Sequence, residues 1–119
     1  MEEEKKVILI VDDNEALVLA LNTLLEEEYE VIPAIDAYQA LEVLKTIEQA
    51  LIFLDCFMPG YNGLQLLREI RQMNLSSRVV IITAAEAVLL GDEINTLGVD
   101  GFLYKPFNIQ QIQDYASAA

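Results

Sequence analysis

Five polar side chains have the types needed to do chemistry together. Asp12 and Asp13 follow a run of five apolar residues, and Asp55, Thr83 and Lys105 each follow another hydrophobic or aromatic run. Clustered carboxylates repel one another unless a cation lies between them. Their oxygens suit a hard divalent ion such as Mg²⁺, which keeps several waters and shares phosphate oxygens. The sequence therefore predicts a magnesium site for a phosphoryl group, if these residues meet.

Phosphoryl transfer is the reaction that such a set of groups favours. It needs mainly positioning and charge stabilisation, which Thr83 and Lys105 would supply opposite the metal. A carboxylate can be the nucleophile and form an aspartyl phosphate. The chain contains no histidine, which excludes triads, metal sites and general bases built on that residue.

Each group taken alone has an ordinary structural explanation. The acidic pair precedes a helical pattern, where Asp13 or Asn14 could simply cap the helix. Asp55 could belong to a turn, Thr83 could be a β-branched strand residue, and Lys105 a solvated charge. A joint site is favoured because polar groups follow four of the predicted strands in a chain that is 54% hydrophobic.

Short apolar runs predict the strands that would position these groups. Runs without polar alternation, typical of parallel strands covered on both faces, occupy residues 7–11, 51–54, 79–82 and 102–104. A fifth candidate, residues 29–33, alternates in polarity and contains a proline, which predicts an edge strand.

Apolar stripes at helical spacing fill the gaps and predict three helices. The stripes are Leu17, Leu21, Leu24 and Leu25; Ala37, Ala40, Leu41 and Leu44; and Leu64, Leu67 and Ile70. A weaker fourth helix is predicted at residues 86–97, and a fifth from the N-cap Asn108 to Ala119. This alternation indicates an α/β three-layer sandwich, in which ligands bind beyond the carboxyl ends of the strands.

Composition limits the domain count, the partners and the compartment. The 119 residues match a single domain, with no linker or repeat. A formal net charge of −13 disfavours direct binding to nucleic acid or anionic lipid. No apolar run approaches the ~18 residues of a membrane span. The acidic N-terminus and the single cysteine, Cys56, lead us to expect a cytoplasmic protein.

The motifs together resemble the receiver domain of two-component response regulators. The resemblance covers residues 6–116 and rests on four motifs in receiver-like order and spacing. They are Asp12-Asp13; Asp55-Cys56-Phe57-Met58-Pro59 with Gly63 eight residues after Asp55; Thr83-Ala84; and Lys105-Pro106-Phe107. It implies a flavodoxin-like (βα)5 fold with a five-stranded parallel sheet of strand order 2-1-3-4-5.

The resemblance also implies a role for each site residue. Asp55 would accept a phosphoryl group from a phosphohistidine on a histidine kinase or phosphotransfer protein. Mg²⁺ would bind directly to Asp13, to Asp55 and to the backbone carbonyl of Phe57, and through a water to Asp12. Lys105 would pair with the phosphoryl oxygens, next to a Lys-Pro peptide bond that is typically cis in the family.

Thr83 and Phe102 would form the switch that the resemblance implies. Thr83 would move inward to the phosphoryl group, and Phe102, three residues before Lys105, would follow it. Phe102 has no hydroxyl, so it would act by packing. Phosphorylation adds about −1.5 to −2 charges, enough to bias a two-state element. The surface of the fourth helix, fifth strand and fifth helix would change, and could contact an effector or a second copy.

Two other functions stay open at this point. A degenerate receiver that only docks proteins usually lacks an acidic or lysine position, and none is missing here. A magnesium-dependent phosphatase with an aspartate nucleophile would carry a second aspartate where this chain has Phe57. We expect a phosphoacceptor that assists its own phosphorylation and dephosphorylation, and not an enzyme.

Overall fold

A computed structural model describes residues 5–55, 57–58, 61–73, 75–83 and 98–118 of the chain. Two features of the sequence, Cys56 and the fourth predicted helix at residues 86–97, lie outside these ranges. The described strands are β1 (Lys6–Val11), β2 (Tyr29–Ala34), β3 (Leu51–Asp55), β4 (Phe57–Met58), β5 (Tyr61–Asn62), β6 (Arg78–Thr83) and β7 (Gly101–Tyr104). The described helices are α1 (Glu15–Leu25), α2 (Ala37–Thr46), α3 (Gly63–Gln72) and α4 (Ile109–Ser117).

Five of the strands form one parallel sheet in the order β2-β1-β3-β6-β7. Counted within that sheet, the order is 2-1-3-4-5, which confirms the predicted flavodoxin-like α/β fold. β7 is the fifth strand of the prediction, and β2, which contains Pro33, lies at an edge as expected. The short strands β4 and β5 pair with each other in antiparallel fashion, apart from the main sheet.

Helices cover both faces of the sheet, because successive side chains of a strand point to opposite faces. Leu9 and Val11 pack in the core cluster that contains α2 and α3. Ile8 and Ile10 pack in the second cluster, which contains α1 and α4. All four are fully buried, and burying a side chain of this size contributes roughly 1.5–3 kcal/mol. The three layers hold the central strands, and so the residues that follow them, in place.

Three of the described helices, α1, α2 and α4, begin at polar caps. Asp36 caps α2 by accepting a hydrogen bond from the Gln39 N–H, and Asn108 caps α4 in a reciprocal capping box with Gln111. The predicted start of the last helix is therefore confirmed. Its predicted end is not, because α4 ends at Ser117. None of the described helices has the length and apolar character that a membrane span requires.

The hydrogen bonds directly after α4 differ from those within the helix. The N–H of Ala118 donates to the Ala116 carbonyl, which departs from the α-helical pattern. The Ala118 carbonyl in turn accepts a hydrogen bond from Arg78 Nη1 at 3.1 Å. A side chain from β6 thus contacts the backbone directly after α4.

Candidate functional site

Four strands of the sheet deliver polar side chains to the same edge. Asp12 directly follows β1, Asp55 and Thr83 end β3 and β6, and Lys105 directly follows β7. All these strands are parallel, so their carboxyl ends lie together. Asp12 is 0% exposed, Asp55 3% and Thr83 0%, which is unusual for charged and polar residues.

Three carboxylates form a cluster at this edge. Asp12, Asp13 and Asp55 each offer an oxygen, and these oxygens all lie within 4.8 Å of one another. Asp12 and Asp55 are buried, whereas Asp13 is exposed to solvent. The cluster is therefore open to solvent on the side of Asp13.

Backbone hydrogen bonds fix the position of Asp12 within the cluster. Its N–H donates to the Ala34 carbonyl at 3.0 Å, which ties the end of β1 to the end of β2. Its Oδ1 accepts a hydrogen bond from the Asn14 N–H at 2.9 Å. The second oxygen, Oδ2, faces the ammonium group of Lys105.

The acidic pair is not the cap of α1. Asn14 caps that helix, because its side-chain oxygen accepts a hydrogen bond from the Leu17 N–H at 3.2 Å. Of the two capping candidates in the sequence, Asn14 therefore fills the position, and Asp13 lies with the carboxylate cluster instead. The structural explanation of the pair by capping does not account for Asp13.

Lys105 bridges two of the carboxylates. Its Nζ lies 2.9 Å from Asp12 Oδ2 and 3.3 Å from Asp55 Oδ2. The contact with Asp55 is also a hydrogen bond, and the shorter contact with Asp12 is an ion pair. The Lys105 N–H donates to the Thr83 carbonyl at 2.7 Å, and the Lys105–Pro106 peptide bond is cis, as the resemblance implied.

The carboxylates hold Lys105 in its charged form. Partial burial by itself lowers the pKa of Lys105, but the contact with Asp12 and the negative charges of Asp12 and Asp55 outweigh it. The pKa of Lys105 is therefore raised above its ordinary value, and the side chain is an ammonium ion at neutral pH. Formally, one positive charge then faces three carboxylates.

Two buried polar atoms at this edge have unused hydrogen-bonding capacity. Thr83 Oγ1 has no hydrogen-bond partner among the described residues, and the partner of Asp12 Oδ2 there is the Lys105 ammonium group of its ion pair. Burying a polar atom without a partner costs about 1–3 kcal/mol, so native structures rarely keep one without a reason. Here both atoms lie at the end of the sheet where this fold binds its ligands.

The donor set fits Mg²⁺. The cluster offers only oxygen ligands, and its formal excess of two negative charges matches a divalent cation. The resemblance also implied a backbone ligand from Phe57. That residue begins β4, two positions after Asp55 and paired with Asn62. An acidic cluster typical of a receiver Mg²⁺ site is thus in place.

Phe102, the predicted switch residue, lies half-buried in β7 against the core cluster of α2 and α3. The ring of Tyr104, a residue without a predicted role, stacks on that of Phe102. Residues two apart in a strand share a face, so the sequence could have indicated that these two rings lie side by side. The fourth helix, which completes the predicted switch surface, lies outside the described residues.

The comparison with known families decides which protein family carries this site. Residues 8–117 match the family described as the response regulator receiver domain. The chain belongs to this family. A receiver is a phosphoacceptor module of two-component signalling rather than a conventional enzyme, which confirms that prediction and speaks against the phosphatase alternative.

Individual receivers resemble this chain over most of its length. Sporulation initiation phosphotransferase F of Bacillus subtilis is 32% identical, over 90% of this chain and 87% of that protein. A CheY-like receiver domain protein from Methanospirillum hungatei has a TM-score of 0.90 and 25% identity, over 97% of this chain and 93% of that one. Response regulator protein TrrA from Thermotoga maritima, solved in complex with Mg²⁺-BeF, has a TM-score of 0.81 and 27% identity, over 95% of this chain and 97% of that one.

Some relatives are considerably longer than this receiver. The chain spans about half of the transcriptional regulators that it matches, 45% in one case and 48% in another. Receiver domains interact with histidine kinases and phosphotransferases, and that general class of partner follows from membership of the family.

Proposed function

We propose that this receiver is a phosphoryl-accepting switch of a two-component phosphorelay, with Asp55 as the acceptor. The observation that carries the proposal is the contact of Lys105 with both Asp55 and Asp12, beside Asp13. A buried carboxylate, a neighbouring ammonium ion and an opening toward solvent at Asp13 are what an attack on phosphorus requires.

The reaction is a transfer of one phosphoryl group to a carboxylate oxygen. An oxygen of Asp55 forms a bond to phosphorus while the P–N bond of the donor phosphohistidine breaks. The imidazole nitrogen keeps the electron pair of that bond and takes a proton from water. Lys105 stays protonated and faces the phosphoryl oxygens, because its contacts with Asp12 and Asp55 hold the ammonium group at that place.

Asp13, Asp55 and the Phe57 carbonyl would hold Mg²⁺ directly, and Asp12 would hold it through a water. When bound, Mg²⁺ neutralises carboxylate charge and shares the phosphoryl oxygens. The carboxylate cluster, whose oxygens lie within 4.8 Å of one another, supports this assignment, as does the structure of TrrA in complex with Mg²⁺-BeF. Asp12 is fixed by the Asn14 N–H and by Lys105, which suits a ligand that acts through a water.

Thr83 and Phe102 would transmit phosphorylation to the surface. The Thr83 hydroxyl is buried at the end of β6 and has no hydrogen-bond partner in the described chain, so a phosphoryl oxygen would satisfy it. Phe102 would then follow by packing. The changed surface would include the fourth predicted helix, β7 and α4, where an effector or a second copy would bind.

The physiological setting follows the same proposal. The donor would be a histidine kinase or a phosphotransfer protein, with residues 1–119 acting as one receiver domain in the cytoplasm. With 20 acidic and 7 basic residues, this chain would act through protein contacts and bind no nucleic acid or membrane directly.

Intact-mass spectrometry after incubation with acetyl phosphate tests the proposal. With Mg²⁺ the native chain should gain one phosphoryl group, as the P–O bond of the donor breaks and acetate leaves with the electron pair. Asp55→Asn should gain none. Asp114→Asn, which removes an exposed carboxylate on α4, is the matched control and should react as the native chain does.

The remaining alternative gives a different result. A receiver that acts only as a docking module would gain no mass under conditions in which a control receiver reacts. Thermal unfolding with and without Mg²⁺ separates metal binding from phosphorylation, because a ligand of the folded state raises its stability. Mg²⁺ should stabilise the native chain and stabilise Asp13→Asn less.

A further inference from the structure

Tyr104 lies between the proposed site and the proposed switch. It is the last residue of β7, it directly precedes Lys105, and it pairs with Thr83 in the sheet. It is also 47% exposed, which is high for an aromatic residue. The phosphoryl-transfer chemistry proposed above makes no use of it.

The ring of Tyr104 stacks on the ring of Phe102. The two ring centroids lie 6.3 Å apart with an angle of 12° between the planes, within the range of stacked aromatic pairs. Phe102 packs against the core, and Leu103 between them is buried on the opposite face. Tyr104 is therefore the solvent-facing member of the pair.

The main chain of Tyr104 is more firmly held than its ring. Its backbone lies in the ladder opposite Thr83, and the next N–H, that of Lys105, donates to the Thr83 carbonyl at 2.7 Å. A change transmitted to Tyr104 must therefore appear in the side chain. The ring is 47% exposed and stacks on Phe102, so a movement of Phe102 would uncover the stacked face.

We propose that Tyr104 is the surface residue that reports the switch: when Phe102 leaves its stacked position, the Tyr104 ring loses its partner and becomes more exposed. The inference rests on the proposed function, because the movement of Phe102 is expected only when Asp55 is phosphorylated. Tyrosine is enriched in protein interfaces, so a partner protein would find a contact that differs between the two states.

The chain contains no tryptophan, so Tyr104→Trp introduces a single indole as a probe. On addition of acetyl phosphate and Mg²⁺, the emission of Trp at position 104 should shift to longer wavelength, and its quenching by acrylamide should increase. Intact mass measured on the same sample reports phosphorylation independently.

Three variants separate the proposed cause from others. Tyr38→Trp places the probe at an 80% exposed position on α2 and should show no shift. Asp55→Asn in the Tyr104→Trp chain should abolish the shift. Phe102→Leu in that chain removes the ring partner, so the emission should lie at the longer wavelength before the donor is added and should not shift further.

Two results would overturn the inference while leaving the proposed function intact. In one, the mass increases and the probe at position 104 does not respond. In the other, the response survives Phe102→Leu undiminished. A chain that gains no mass instead contradicts the proposed function, and the inference falls with it. Fluorine NMR of the chain labelled with 3-fluorotyrosine repeats the test without tryptophan, and Tyr104→Phe identifies the resonance.

Discussion

The buried polar residues at the two ends of the sheet differ in their hydrogen-bond partners. At the carboxyl end, Thr83 buries a hydroxyl without a hydrogen-bond partner among the described residues, and Asp12 buries a carboxylate that is paired with the Lys105 ammonium group. At the amino end, Ser77 is also buried, but its hydroxyl donates to the Gln49 carbonyl at 2.6 Å. Asp100 accepts a hydrogen bond from the Val79 N–H at 2.7 Å at the same end.

Cations show the same contrast between the two ends. Arg71 donates from Nε and Nη2 to the Gly98 carbonyl, at 2.9 and 2.6 Å, and Lys5 donates to the Glu26 carbonyl. These contacts satisfy backbone acceptors in loops and at a helix end. Arg71 also lies 4.0 Å from the exposed carboxylate of Asp100, whereas Lys105 faces two buried carboxylates in a cluster with a formal excess of negative charge. Polar groups stabilise the fold at one end, and at the other they are held ready for a ligand.

The largest expected effect comes from removing the cation at the carboxyl end. Lys105→Met should slow the uptake of a phosphoryl group by about 100-fold, because a positioned charge donor in the transition state contributes on that scale. Lys5→Met removes an exposed cation at the amino end and should leave the rate unchanged. Time-resolved intact mass with acetyl phosphate measures both. Equal rates for the two variants would contradict the contrast between the ends.

Removing a satisfied hydroxyl at the amino end should lower stability and spare the chemistry. Ser77→Ala leaves the buried Gln49 carbonyl without its donor and should reduce the free energy of unfolding by about 1–3 kcal/mol. Urea denaturation measures the change, and Ser76→Ala, at the exposed neighbour, should stay within about 0.5 kcal/mol of the native chain. A loss of phosphoryl uptake in Ser77→Ala would show that the ends are coupled.

The corresponding change at the carboxyl end should have a smaller effect of opposite sign. Thr83→Val removes a buried hydroxyl that has no partner in the described structure, so the free energy of unfolding should stay equal or rise by up to about 1 kcal/mol. The variant should still gain a phosphoryl group on Asp55. A destabilisation as large as that of Ser77→Ala would mean that the hydroxyl contributes to the fold.

The smallest expected effect is a dependence of stability on alkaline pH. The folded pKa of Lys105 is raised above its ordinary value of 10.5. The stability that Lys105 contributes is therefore complete below that value and is lost as pH rises through the folded pKa. The native chain should lose more stability than Lys105→Met between about pH 9 and about pH 11. Urea denaturation at both pH values measures this difference. An equal loss of unfolding free energy in the two chains would show that the carboxylates do not stabilise the charged form of Lys105.

Much of this architecture is readable from local patterns. Residues 51–54 and 79–82 are apolar without a break, and such runs can be buried only between two layers of helices. Pro33 marked the edge strand because it lacks an N–H, and Asn108 marked the start of α4 because its side chain accepts one. Asp55 and Lys105 were expected to meet because the carboxyl ends of parallel strands share one edge.

Other features were decided by tertiary structure alone. The sequence allowed Asp13 or Asn14 to cap α1, and only the fold shows that Asn14 does so while Asp13 lies beside Asp55. Lys105 lies closer to Asp12 than to Asp55, and Tyr104 stacks on Phe102.

The physical reason lies in the range of the interactions. Strand length, capping and edge position depend on residues a few places apart, so hydrophobic period and residue type determine them. The distance between Lys105 and Asp12, or the pairing of Ser77 with Gln49, depends on side-chain conformations brought together across many residues. The sequence by itself determined which groups reach the carboxyl end of the sheet. Only the packed sheet decided which of them face one another and which are left without a partner.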